Sequence, residues 1–478
     1  MTDPADLSAT EARRLIGRKA LSPVELVSSC IARIEAANGP LNAVVALDRD
    51  RALEAARAAE QAVASGEPLG ALHGLPVGIK DLTETAGLRT TFGSLLHENH
   101  VPARDDRIVA ALRRAGAIVL AKTNTPEFGA GAVTTNKVYG MTGNPFDPDR
   151  TCGGSSGGSA VALAAGMVPL ATGSDFGGSL RIPAAWCGVV GFRPSPGLVP
   201  DEKRLRGWSP LSVEGPMARN VGDLALLLSA MAGDDPRDPL SRPVDAHALA
   251  CPPEVDLSSL RIGISEDLGF APVDGGVRAT FRERMRLISG ALGALVPVEP
   301  GMRDADETFS VLRGAAFLAA HGARAERSAD RLGPQVLANV EYARGLTLRQ
   351  VVDAEARQTR IARDFQTLFE RVDVVVCPAV AVPPFPKTEP HCAEIDGRPM
   401  SSYFQWLAIT YGLTLTGCPV ACLPCGLDPT GMPFGLQICG PKGADRKVLG
   451  VAAALERVME GIAETARPVP LSAGRKEG

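Results

Sequence analysis

The chain has 478 residues, enough for two or three average domains or for one large α/β unit with a sizeable core. Fifty Lys plus Arg against 54 Asp plus Glu leave a net charge of −4, with no basic run to grip a nucleic-acid backbone. No apolar run approaches the roughly eighteen residues of a membrane span, and Met1 to Asp6 lacks the basic and apolar segments of a secretion signal, so neither nucleic acid nor membrane is an expected partner. Ten cysteines fall far below disulfide-scaffold density and suit a reduced, cytoplasmic protein. Aromatics make up only 4% of residues, so Ala, Val and Leu must do the packing, which suits helices against a sheet.

In chain order, residues 1–70 read as helices. Ser22-Pro23-Val24-Glu25 is a capping box with proline at the first helical position, and Asn38-Gly39-Pro40 is expected to end that helix. A second, Ala-rich helix runs from about Arg51 to Ala64. His73 to Leu82 is a short β-type segment that carries Lys80 at its end. Taken alone, Lys80 is an ordinary salt-bridged lysine with Asp81 as partner. A helix closed by Gly116 and the strand Ile118 to Ala121 continue an α/β alternation, and the Gly/Thr/Asn/Pro-rich stretch 124–148 is long enough to be functional.

Two glycine-flanked serine clusters follow. Gly153-Gly154-Ser155-Ser156-Gly157-Gly158 allows sharp turns that present hydroxyls, and Ser174-Asp175-Phe176-Gly177-Gly178-Ser179 follows an apolar strand. Residues 233–258, rich in Pro and Asp, read as a surface excursion. Strands are expected at Leu260 to Ile264 and Ala294 to Val298, and an outer helical layer from Ala305 to Glu370. A buried strand at Val372 to Pro378, paired strands at Cys418 to Pro424 and Phe434 to Ile438, and a closing helix from Arg446 to Met459 complete the reading. Cys422 and Cys425 have a metal-like spacing, but no second pair or histidines follow, so they read as small apolar strand residues and no metal is expected.

Three chemistries compete for the serine clusters. Gly153 and Gly158 have the spacing of a phosphate-binding loop, yet Ser159-Ala160 stands where its Lys and Ser/Thr belong. Gly153 to Gly157 matches a nucleophile elbow, but His247, His321 and His391 lie in no signature-like setting. The third uses no histidine: a buried lysine that loses its charge can serve as the base for a serine, with a second serine carrying the proton between them. The backbone N–H groups of Phe176, Gly177 and Gly178 could then converge as an oxyanion hole.

The blocks GGSSGGS, GSDFGGSLRIPAAWCGVVGFRP, HGLPVGIKDL, GCPVACLPCGL and GMPFGLQICG, with family order and spacing along the chain, resemble the amidase signature family. The resemblance implies an α/β fold: a single large domain whose central mixed β-sheet is covered by helices on both faces. In it, 1–70 is a helical region packed on the core, 71–235 and 370–478 form that core, and 236–369 is a variable, largely helical region. It also implies a triad of nucleophile Ser179, bridging Ser155 preceded by a cis peptide, and base Lys80, with Phe176, Gly177 and Gly178 as oxyanion donors. Ser156, Asp175 and Arg181 are expected to brace the loops, and Gly129, Ala130, Gly131 and Ala132 to border a substrate pocket with room for a bulky or aromatic acyl group. The expected activity is hydrolysis of a small-molecule carboxamide or anilide, with no metal or cofactor and with a homodimer as a possible assembly. The alternative is the subunit of a glutamine-dependent tRNA amidotransferase, which works with partner chains. Phe176 stands where such subunits usually carry threonine, the 124–148 loop lacks their Ser-Ser-Thr-Glu-Asn run, and Gly207 to Leu211 differs from their pattern, which favours the free-standing amidase. A catalytically silent binding protein on this scaffold is disfavoured by the intact Lys80, Ser155 and Ser179.

Overall fold

The computed structural model describes residues 3–470; Met1, Thr2 and 471–478, the outer ends of the first and last expected regions, lie outside it. Helix α1 (Ala9–Gly17) is capped by Ser8, and α2 (Pro23–Leu41) opens on the capping box of Ser22 and Glu25. Contrary to the expected stop, α2 carries Pro40 in its last turn and ends at Asn42, whose φ is 48°. The turn survives because Asn42 N–H still reaches the Asn38 carbonyl at 2.7 Å. The Asn38 side chain accepts from the N–H groups of Ala43 and Val44, which starts a strand that helical periodicity does not announce, β1 (Val44–Leu47). Helix α3 (Arg49–Ser65) follows, capped by Asp48.

The core is one mixed sheet of eleven strands. The others are β2 (Pro76–Lys80), β3 (Ile118–Thr123), β4 (Leu170–Asp175), β5 (Val190–Arg193), β6 (Val213–Ala218), β7 (Arg261–Ile264), β8 (Ala294–Pro297), β9 (Val374–Pro378), β10 (Val420–Leu427) and β11 (Pro433–Cys439). Their spatial order is β1-β3-β2-β4-β6-β5-β10-β11-β9-β7-β8. Strand β2 lies parallel between β3 and β4, fully buried, so its C-terminal residue Lys80 is carried into the interior. Strand β4 runs antiparallel to β6 and places Ser174 opposite Glu214. The region 236–369 is not helix alone: β7 and β8 extend the sheet beside β9 in parallel register.

The flanking helices include α4 (Arg107–Arg114), α5 (Gly157–Ala164), α6 (Arg181–Cys187), α7 (Val221–Met231) and α8 (Gly275–Ile288). Beyond them come α9 (Ala305–Ser328), α10 (Pro334–Arg344) and α11 (Leu348–Thr367), then α12 (Ala408–Thr416) and α13 (Asp445–Glu460). Helix α9 corrects the expectation of an outer layer. It buries Ala305, Thr308, Phe309, Leu312, Arg313, Phe317 and His321 on one helical stripe, of which Phe309, Arg313 and Phe317 wall the cavity described next. Helix α12 is buried along its whole length, so it has no polar face from which periodicity could reveal it. Among the described residues no helix is long and apolar enough to cross a membrane.

Candidate active site

Lys80 does not pair with Asp81. Its Nζ lies 2.7 Å from Ser155 Oγ, 2.9 Å from Ser156 Oγ and 2.9 Å from Ser174 Oγ, and the side chain is fully buried. Asp81 turns instead to Thr91 and to a second buried lysine, Lys122, at 3.9 Å. Lys122 also donates to the Thr83 carbonyl and to the hydroxyls of Thr85 and Thr90, so it fastens the loop that leaves β2. Burial pulls the Lys80 amine down to about 7, against the attraction of Glu214 and Asp175. With three hydroxyls and no carboxylate in hydrogen-bonding reach, the amine has partners for either charge state. Glu214 faces it electrostatically, its own carboxyl pushed up by burial and by Asp201 despite the opposing pull of Lys80.

The first serine loop is set by its glycines. The peptide between Gly154 and Ser155 is cis, as the resemblance implies. A Cβ on Gly158 would lie 2.2 Å from the Asn124 nitrogen, so only glycine lets α5 start against that loop. Ser156 N–H donates to the Ser179 carbonyl at 3.2 Å, which ties the two serine loops together. Ser155 and Ser179 border the same cavity, of about 130 Å³.

The second loop is braced from beneath by Asp175. Its carboxylate accepts from Gly178 N–H at 2.9 Å, Leu180 N–H at 3.2 Å, Arg181 Nε and Nη2 at 3.0 Å each, and Arg193 Nη1 at 3.2 Å. All three charged side chains are fully buried. Burial alone would raise the Asp175 carboxyl, but Arg181 and Arg193 hold it well below the usual carboxylate range. Arg181 reaches on to the Thr410 carbonyl, Thr414 Oγ1 and Gln437 Oε1, fastening α12 and β11 to the loop. Thr410 Oγ1 in turn sits 2.6 Å from the Gly177 carbonyl. The expected trio of oxyanion donors is thereby reduced: Gly178 N–H is committed to Asp175, whereas no protein acceptor takes the N–H of Phe176 or Gly177 among the described residues.

The cavity is walled by Leu82, Phe128, Phe176, Ile182, Phe309, Phe317 and Leu407, with Ser174 and Ser212 among its polar groups and Arg313 its one charged residue. Gly129, Gly131 and Ala132 border it. Ala130 does not: it packs the other way, against Phe317, Ala325, Leu332, Val336 and Val340. The backbone turns at Phe128 (φ 48°) and Gly129 (φ 70°), so neighbouring residues there cannot share a face. Wider clefts of about 350 and 510 Å³ share Leu82 and Phe128 with the cavity and lead outward past His321, Lys203 and Arg204. His321, held down to about 4 by burial and by Arg324, is neutral at pH 7. Sequence reasoning missed Ser174, Arg193, Glu214, Phe309 and Arg313. Ser174 and Arg193 stood inside a quoted motif, while the other three carry no local signal.

A buried amine lies against one serine at the rim of a cavity that a second serine also borders, beneath a glycine-rich loop with free N–H groups, which is the set of groups an acyl-transfer site requires. The Amidase family model matches residues 25–449, and the chain belongs to that family. One glutamyl-tRNA(Gln) amidotransferase subunit, from Chloroflexus aurantiacus, is 35% identical over 484 residues, which covers 96% of this chain and 98% of that one. Among solved structures, a bacterial aryl acylamidase of the amidase signature family superposes with a TM-score of 0.88 at 30% identity, over 95% of this chain and 96% of that one. The corresponding glutamyl-tRNA(Gln) amidotransferase subunit from Thermotoga maritima superposes with a TM-score of 0.77 at 26% identity, over 98% of each chain.

Proposed function

We propose that this chain cleaves the C–N bond of an amide through an acyl-Ser179 intermediate and releases the acid to water. The observation that carries the reading is the fully buried Lys80, its Nζ 2.7 Å from the hydroxyl of Ser155 at the rim of the cavity that Ser179 also borders. Uncharged Lys80 accepts the Ser155 proton as Ser155 accepts that of Ser179, and Ser179 Oγ adds to the amide carbon. The N–H groups of Phe176 and Gly177 receive the charge that develops on the carbonyl oxygen. The relay then returns the proton to the leaving nitrogen, the C–N bond breaks, and water repeats the sequence on the ester. Ser156, Asp175 and Arg181 position the loops, and Gly129, Gly131 and Ala132 border the substrate. A cytoplasmic setting belongs to the same reading, supported by ten unpaired cysteines.

A second reading, an amidotransferase subunit that acts with partner chains, is favoured by the names of the relatives at 35% identity. Against it stands the lining of the inner cavity, which offers the α-ammonium of glutamine no Asp or Glu; carboxylates such as Asp201 line only the adjoining outer clefts. Incubating the purified chain, without partners, with a panel of aliphatic, aryl and amino-acid amides separates the two. Acid release by the chain alone, lost in Ser179→Ala, supports the hydrolase; activity on glutamine only, and only with added partner chains, supports the amidotransferase reading.

A further inference from the structure

Arg313 is a buried guanidinium, 6% exposed, with no carboxylate in salt-bridge range among the described residues. Two of its donors are used: Nε reaches Asn339 Oδ1 at 3.2 Å and Nη2 reaches Tyr403 Oη at 2.7 Å. A guanidinium has five N–H donors, so the others are left for something in the cavity. The group is held rigidly, with Phe317 4.6 Å, Phe404 5.3 Å, Tyr403 5.7 Å and Phe176 5.8 Å from its carbon to their ring centres. Asn339 Nδ2 also donates to Tyr403 Oη, at 2.6 Å, and fixes that partner in turn. Every other buried arginine of the site, Arg181 and Arg193, is matched by Asp175. Arg313 alone presents uncompensated positive charge to the space beside Ser179.

We propose that the cavity takes a monoanionic amide, whose carboxylate pairs with Arg313 while its hydrocarbon portion lies among the phenylalanines. A planar guanidinium pre-organised between aromatic faces matches a carboxylate in two parallel hydrogen bonds, and a dry apolar wall strengthens that pairing. The small cavity keeps the carboxylate within a few bonds of the scissile carbonyl, as in the half-amide of a short or aromatic dicarboxylic acid. This inference rests on the proposed acyl-serine chemistry.

The test pairs each of succinamate, glutaramate and 4-carbamoylbenzoate with the neutral amide in which the carboxylate is a methyl group: butanamide, pentanamide and 4-methylbenzamide. Wild-type enzyme is expected to favour the anion in at least one pair by about tenfold or more in kcat/KM, mainly through KM. Arg313→Met should lower kcat/KM for the anion far more than for the neutral partner and so abolish the preference, circular dichroism checking that the variant folds, and Arg313→Lys should keep part of the preference. Glutamine, which is glutaramate with an added ammonium, should be the poorer of those two substrates. Equal use of anionic and neutral partners, a preference for glutamine over glutaramate, or an equal loss on both partners in Arg313→Met would overturn the inference and leave the acyl-serine chemistry standing. If none of the amides turns over, fluorophosphonate labelling of Ser179 decides: succinate, glutarate and terephthalate should slow it in wild type and not in Arg313→Met. Labelling that no carboxylate slows overturns the inference alone, and absence of labelling overturns the chemistry on which it rests.

Discussion

Replacing Asp175 by Asn removes one negative charge and nothing else in outline, and the structure says how much depends on that charge. Five donors converge on the carboxylate, two from the loop backbone at Gly178 and Leu180 and three from Arg181 and Arg193. With all three side chains at 0% exposure, water cannot replace the lost charge, and the new amide turns two N–H groups toward donors. Breaking a fully buried pair of this kind costs about 3–5 kcal/mol. The loop cannot absorb this locally, because Arg181 also anchors Thr410, Thr414 and Gln437. Displacement of the Ser179 loop by about 1 Å would lower kcat by about 10²-fold. Urea unfolding and turnover of a neutral amide measure the two effects. An Asp175→Asn enzyme within about 1 kcal/mol of wild type and with full activity would refute the claim that the buried charge holds the nucleophile loop.

In the proposed chemistry Lys80 acts uncharged, and burial brings its amine to about 7, so kcat/KM should rise with pH through a limb near that value and then level off. A profile that stays flat from about pH 6 to about pH 9 contradicts the assignment. Gly178→Ala places a Cβ 2.4 Å from Thr410 Oγ1 at a φ of 129°, and should cost about 1–3 kcal/mol in unfolding experiments together with most of the activity. Phe309→Ala empties a wall position between Tyr411 and Phe176. It should destabilise by about 3–5 kcal/mol while raising the relative kcat/KM for bulkier acyl groups, which a series of branched and aryl amides would reveal.

Glycine clusters and a strand end mark the two serine loops and Lys80 in the chain, through backbone requirements that act over a few residues, while the choice of Ser155 and Ser179 within those loops rested on the family resemblance. Individual strands and the α/β alternation were legible through apolar runs of strand length, while the single mixed sheet was what the family resemblance implied. What stayed hidden depends on contacts between distant segments. Arg193 looks like any strand arginine until β4 brings Asp175 beside it, and Arg313 looks like part of a solvated helix until α9 is packed against Phe176. The Lys80–Asp81 pairing failed because residue 81 has left the strand, so its carboxylate faces Lys122 on the neighbouring segment rather than Lys80. Ala130 was misplaced, and Gly178 over-counted as a donor, because a motif reports which residues are near a site and not the direction of each N–H or Cβ.

The most direct measurement of the central claim is the position of the covalent adduct after treatment with a serine-directed fluorophosphonate, read by peptide mass spectrometry. The account predicts a single adduct on Ser179, absent in Ser179→Ala and formed far more slowly in Lys80→Met. An adduct on another residue, or undiminished labelling without the Lys80 amine, would contradict it.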